Sequence, residues 1–202
     1  MSFFDDTQKL GLVLLIVGVL SIISAIFMIA CGFVDLFDIT IGDEPLDGSD
    51  KTIYCVVGGI GSLIGGIIYF LYAKQVRSGA ISAKIDVLAT YVRTVGVVYL
   101  ITHIFAAAAT AAIGEVAAGI IAAIVGIIIA LIIIFIAGKV NDGGSHKIIW
   151  ILLVIAFILM LIVSILSCLS IVGIIEGICG VLIALFMLGF LFDGEVKSQM
   201  GM

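Results

Sequence analysis

Six long runs with almost no charge dominate this chain: residues 10–32, 53–73, 94–113, 116–138, 148–168 and 174–192. A helix of about twenty apolar residues crosses a hydrocarbon core about 30 Å thick while satisfying its own backbone hydrogen bonds, so each run reads as one transmembrane helix. Only Gly114 with Glu115, and residues 170–173, separate the members of the last two pairs. A single span of roughly forty or more residues would be far too long, so tight turns are expected at both places. Composition agrees: 64 % of the 202 residues are hydrophobic and 11 % charged, and the mean hydropathy is +1.46, values that no soluble domain of this size tolerates on its surface.

The expected fold class is therefore all-α, a polytopic membrane protein. Its six transmembrane helices form three hairpins, about 10–73, 94–138 and 148–192, in a compact bundle. That bundle is one domain over residues 1–202, with 74–93 as a cytoplasmic amphipathic link. In the link, Ile81, Ile85, Leu88 and Val92 follow helical spacing while Ser82, Lys84 and Asp86 lie largely elsewhere on the wheel. Such a segment either lies on the membrane or extends the third helix.

Lysine and arginine set the expected orientation. Six spans put Lys9, Lys74, Arg77, Lys84, Arg93, Lys139, Lys147 and Lys197 on one side and Lys51 alone on the other. The positive-inside bias then places both termini in the cytoplasm, in a cell membrane, and the acids Asp35, Asp38, Asp43, Glu44, Asp47 and Asp50 outside. Glu115 and Glu176 fall at outer helix starts, where unsatisfied backbone N–H groups and the helix dipole favour a carboxylate. The first run is expected to be a retained span: its apolar stretch is too long for a cleaved signal and its leader, MSFFDDTQK, is not basic.

A weak internal repeat is visible. Residues 17–27 (VGVLSIISAIF) match 95–105 (VGVVYLITHIF) at an offset of 78, and an offset of 65 pairs Gly61 with Gly126, Gly65 with Ala130 and Lys74 with Lys139. Three such hairpins entering from one side would be parallel repeats about an axis along the membrane normal, a weak pseudo-threefold. Close packing is expected through small residues, since lipid on all sides removes the hydrophobic drive between helices. Gly58, Ser62 and Gly66 form one i+4 row on the second helix and Gly61 with Gly65 another; Ala118, Ala122, Gly126 and Ala130 form a longer row on the fourth. These rows suit internal packing or a homo-oligomer seam.

His103 is the one imidazole inside a run, ten residues past Arg93. With Arg93 at the membrane edge, His103 lies about 15 Å deep, where a charged ring would cost several kcal/mol. A neutral ring facing protein is expected, hydrogen-bonded by Tyr99, Thr102 or Ser24, with interhelical bonding favoured over a pore role or cofactor ligation.

Chemical motifs are missing from the sequence. It holds no HExxH, CxxC, phosphate-binding loop or GxSxG, and no basic patch that suggests nucleic acid. The outer acids Asp43, Glu44, Asp47 and Asp50 match no calcium-loop spacing, so no metal or other cofactor is expected. Cys31 with Cys55, and Cys168 with Cys179, occupy comparable outer positions where disulfides are conceivable, but free thiols are favoured because cysteine is an ordinary small apolar residue in such helices. The reading that results is a non-enzymatic structural or accessory subunit, partnered by the lipid bilayer and by copies of itself or other membrane subunits. The alternative is a small-solute or ion transporter or channel with a midplane polar site around His103.

Overall fold

The computed structural model describes residues 3–34, 39–41, 44–169 and 174–202. Each run becomes a helix: α1 (Thr7–Cys31), α2 (Gly48–Arg77), α3 (Lys84–Ala112), α4 (Val116–Val140), α5 (Lys147–Ser167) and α6 (Ile174–Leu191). All six are long and apolar enough to cross a membrane, so the protein is an all-α integral membrane protein. A short α7 (Gly194–Gln199) follows α6, and a 3-10 turn, Phe3–Asp5, precedes α1. Between α1 and α2 the two-residue strands β1 (Thr40–Ile41) and β2 (Glu44–Pro45) pair antiparallel, Thr40 opposite Pro45.

Helix ends follow local chemistry. Asp6 starts α1 as its side chain accepts from the backbone N–H groups of Gln8 (2.9 Å) and Lys9 (3.2 Å), donors that the first turn leaves open. Gly79 ends α2 with φ +77, a left-handed conformation that glycine adopts without a Cβ clash, while the Ser78 and Gly79 amides donate to Lys74 and Val76. Gly114 does the same work between α3 and α4 at φ +99. The segment read as a link is divided by these signals: 74–77 close α2, 84–93 open α3, and only 78–83 lie between.

The chain falls into two compact units, residues 1–18, 69–94 and 133–202 in the first and 19–68 and 95–132 in the second. The first has a core of large side chains: Leu10, Leu14, Val76, Leu88, Ile183, Phe186, Met187, Phe190 and Leu191 are all essentially buried. Phe3 and Phe4 lay their rings on Phe186, at centroid distances of 5.6 and 5.1 Å. In the α5–α6 hairpin, a Cβ on Gly177 would stand 2.7 Å from the Ser164 carbonyl, so glycine there permits the approach.

The second unit is built differently. Its buried apolar residues are small: Ala25, Cys31, Cys55, Ala107, Ala109 and Ala130, with Gly58, Gly59, Gly61, Gly65, Gly66, Gly119 and Gly126; among the described residues, Lys51 is the one long side chain buried there. Small residues let backbones approach until dispersion contacts replace the missing hydrophobic drive. Gly66 meets α1, where its Cβ would lie 3.2 Å from the Ile22 nitrogen, and Gly58 meets Met28 of the same helix. Gly61 and Gly65 face α3, at Phe105 and at Val98 with Thr102. Ser62 is half-buried.

The expected row on α4 is split. Gly126 and Ala130 are buried, but Ala118 and Ala122 are exposed, and Gly119 makes the close contact instead, 2.7 Å from the Ala107 carbonyl. Steps of four residues drift about 40° around a helix, so a four-member row cannot keep one face, whereas 119 and 126, seven apart, can. One pair of the repeat differs in its packing. Gly61 and Gly126, paired in sequence, both meet α3, which lies in a different hairpin from Gly61 but in the same hairpin as Gly126.

Candidate membrane-embedded polar site

Helix α3 sets Tyr99, Thr102 and His103 on adjoining positions, because residues three and four apart share a helix face. The His103 ring stacks on Tyr99 with centroids 3.7 Å apart and planes at 23°. Its Nδ1 lies 3.0 Å from the Tyr99 carbonyl oxygen. A carbonyl only accepts, so that bond requires the hydrogen on Nδ1. Thr102 Oγ1 donates to the carbonyls of Val98 (2.9 Å) and Tyr99 (3.2 Å) and turns its methyl towards Gly65. On the other side, a Cβ built on Gly126 would fall 2.8 Å from His103 Cβ and 3.1 Å from its ring. His103 therefore faces protein, against α4.

Two expectations about this site change. The hydrogen bond to His103 lies within its own helix, and Ser24 is exposed on α1. The place of His103 in its helix also differs from the run read in the sequence, because α3 begins nine residues before Arg93, at Lys84. His103 is nineteen residues from that start and nine from Ala112, about 28 and 14 Å along the axis. Of the two readings of the 74–93 link, the extension of the third helix is the one found for residues 84–93.

The other expected residues are plainly placed. Glu115 immediately precedes α4 and Glu176 lies in the first turn of α6, both exposed. The four cysteines are free thiols. Asp35, Asp38, Asp43 and residues 170–173 lie outside the described residues, and among those described no three His, Cys, Asp or Glu side chains converge.

Three polar clusters were not legible in the sequence. Tyr69, Tyr72 and Tyr91 bring their rings to within 6.4 Å of one another, with Tyr91 packed on Phe157 at 6.0 Å. Tyr72 donates to the Val87 carbonyl (2.9 Å) and Tyr91 to the Met160 sulfur (3.8 Å). The i,i+3 spacing of Tyr69 and Tyr72 was the only signal available. Lys84 bridges Asp5 (3.2 Å) and Asp193 (2.5 Å), so the residue that opens α3 ties down the turn before α1 and the corner after α6. That lysine holds the Asp193 carboxyl below the usual carboxylate range, with the Glu195 amide assisting. In the α4–α5 turn, Asp142 accepts from the Gly144 amide (2.9 Å), Lys139 (2.9 Å) and His146 Nε2 (2.7 Å). The Gly144 amide first, then the two side chains, push its pKa down to about 2.

No family model matches this chain, and no curated protein or solved structure matches it either.

Proposed function

We propose that the protein is a non-enzymatic structural or accessory subunit, working through helix packing with copies of itself or with other membrane subunits. One observation carries this reading: four polar side chains of the spans bond to carbonyls of their own helix. Thr102, His103, Thr110 and Ser167 all reach back three or four residues, to Val98 or Tyr99, Tyr99, Ala106 and Val163 respectively. A transporter needs such groups turned towards a shared path, with helices interrupted beside it. Here the Thr102, Thr110 and Ser167 hydroxyls are occupied locally, the Tyr72 and Tyr91 hydroxyls tie helices to one another, and glycines are used for contact between helices. The membrane is taken to be the cell membrane, with both termini in the cytoplasm, on the strength of the basic residues gathered at one set of helix ends.

The test is reconstitution. Purified protein in liposomes should produce no flux of Na⁺, K⁺, H⁺ or small metabolites above protein-free vesicles. It should run in mild detergent as a defined oligomer or with another subunit in fixed stoichiometry. Flux abolished by His103→Leu, with the fold intact, would replace this reading with the transporter.

A further inference from the structure

We propose that Asp86 and Arg93 form a site on α3 for the headgroup of an aminophospholipid, with its phosphate on Arg93 and its ammonium on Asp86. The site begins from the misfit of Arg93. Lys84 pairs with Asp193, which follows α6, and Trp150 in the first turn of α5 donates to the Leu191 carbonyl at 2.8 Å. The start of α3, the end of α6 and the start of α5 thus share one level, and they carry the charges that mark a membrane edge. Arg93 stands nine residues beyond Lys84, about 14 Å further along the helix. It is exposed, and it makes no ion pair or hydrogen bond among the described residues.

A bare guanidinium at that depth costs several kcal/mol, so it must find an anion. None of the described spanning helices supplies one in contact with it: their acids, Asp50, Asp86 and Glu176, all lie in first turns, and Asp86, the nearest along α3, accepts from Asn141 and makes no ion pair with Arg93. A second copy brings the same acids at the same helix starts. Lipid phosphate is the remaining abundant anion. Helical side chains lean towards the N-terminus, here towards the edge, and an arginine reaches back by about 6 Å.

Asp86 selects among phospholipids. It lies seven residues before Arg93, on the same face and also exposed, with half-buried Thr90 between them. One of its oxygens accepts from Asn141 at 3.1 Å, which leaves the other open. After the arginine leans back, the two charges are separated by only several ångströms, negative towards the edge and positive towards the core. In a phospholipid the amine lies outside the phosphate, so the order of charge on the helix is complementary to that of a zwitterionic headgroup. An ammonium can donate hydrogen bonds to Asp86, which a choline cannot. A headgroup that is purely anionic would face the repulsion of Asp86.

Native mass spectrometry of delipidated protein mixed with phosphatidylethanolamine, phosphatidylcholine or phosphatidylglycerol tests the site. Wild type should retain phosphatidylethanolamine about tenfold better than the other two, the order expected of one charge-assisted contact. Arg93→Gln should lose that preference and retain little of any lipid. Asp86→Asn should keep phosphate binding and shift the preference to phosphatidylglycerol, which a general loss of structure would not produce. Equal retention of the three lipids by wild type, or an Asp86→Asn profile identical to wild type, would overturn the proposal. Displacement by soluble glycerophosphoethanolamine would show a site for the free headgroup rather than for a lipid, and would overturn the proposal as well.

Discussion

Gly126 and Gly138 sit twelve residues apart on α4 in opposite circumstances. A methyl on Gly126 meets His103 at 2.8 Å, whereas nothing lies within 4 Å of one on Gly138. Gly126→Ala should therefore force α4 away from α3 and lower stability by about 1–3 kcal/mol. Gly138→Ala should be neutral or stabilising by up to about 1 kcal/mol, since alanine is the better helix former. Thermal melts of the two variants in one detergent check the pair, and a Gly126→Ala melt equal to that of Gly138→Ala would contradict the contact. Residue type announced close packing here, but not which glycine meets which neighbour. Gly59, whose Cβ would lie 3.2 Å from the Ile29 nitrogen, belonged to no expected row.

Elements are held by contacts that no single run contains. Lys84 joins α3 to the turn before α1 and to the corner after α6, its side chain and that of Asp193 each 24 % exposed. Lys84→Met should cost about 1–2 kcal/mol, the scale of charge-assisted hydrogen bonds at a partly wet site. It should also open the segment before Thr7 to proteolysis, read as faster loss of the N-terminal residues with the remaining chain intact. The α4–α5 turn gives a pH dependence. The pKa of Asp142 is held at about 2, below the ordinary 3.8. A carboxyl depressed by folding stabilises the fold above its unfolded pKa and loses that contribution as pH falls through the folded value. The melting temperature of wild type should thus exceed that of Asp142→Asn at pH 5, and the gap should close between about pH 4 and pH 2. A gap that persists at pH 2 would show that the turn is held by something other than the charge on Asp142.

For the molecule as a whole, the charge asymmetry gives a direct topological test. With eight lysines and arginines on one side and Lys51 on the other, residues 78–83 and both termini are expected in the cytoplasm and residues 45–49 outside. Cysteine at Ser49 should react with an impermeant maleimide in intact cells, and cysteine at Ser78 only after lysis. Of the native thiols Cys31, Cys55 and Cys179 are at most 7 % exposed, and the half-buried Cys168 is removed as Cys168→Ser in the parent used for both variants. Labelling of position 78 but not 49 in intact cells would invert the orientation.

Runs of apolar residues determined that there are six helices and roughly where each lies, because a backbone in lipid must satisfy its own hydrogen bonds and a helix is the local way to do so. Gly114 marked a turn by equally local chemistry. Hydropathy set no lateral contacts, since lipid and protein are about equally apolar to a leucine or isoleucine side chain. Only the tertiary structure decided that Gly61 turns to α3 and Gly66 to α1, that His103 rests on Gly126 while bonding its own helix, and that Tyr91 finds Phe157. It also chose between the two readings of the 74–93 link, starting α3 at Lys84, where the pairing of Lys84 with Asp5 and Asp193 brings together residues from both ends of the chain. Arg93, which marks an edge when the sequence is read alone, thereby became a charge inside the helix.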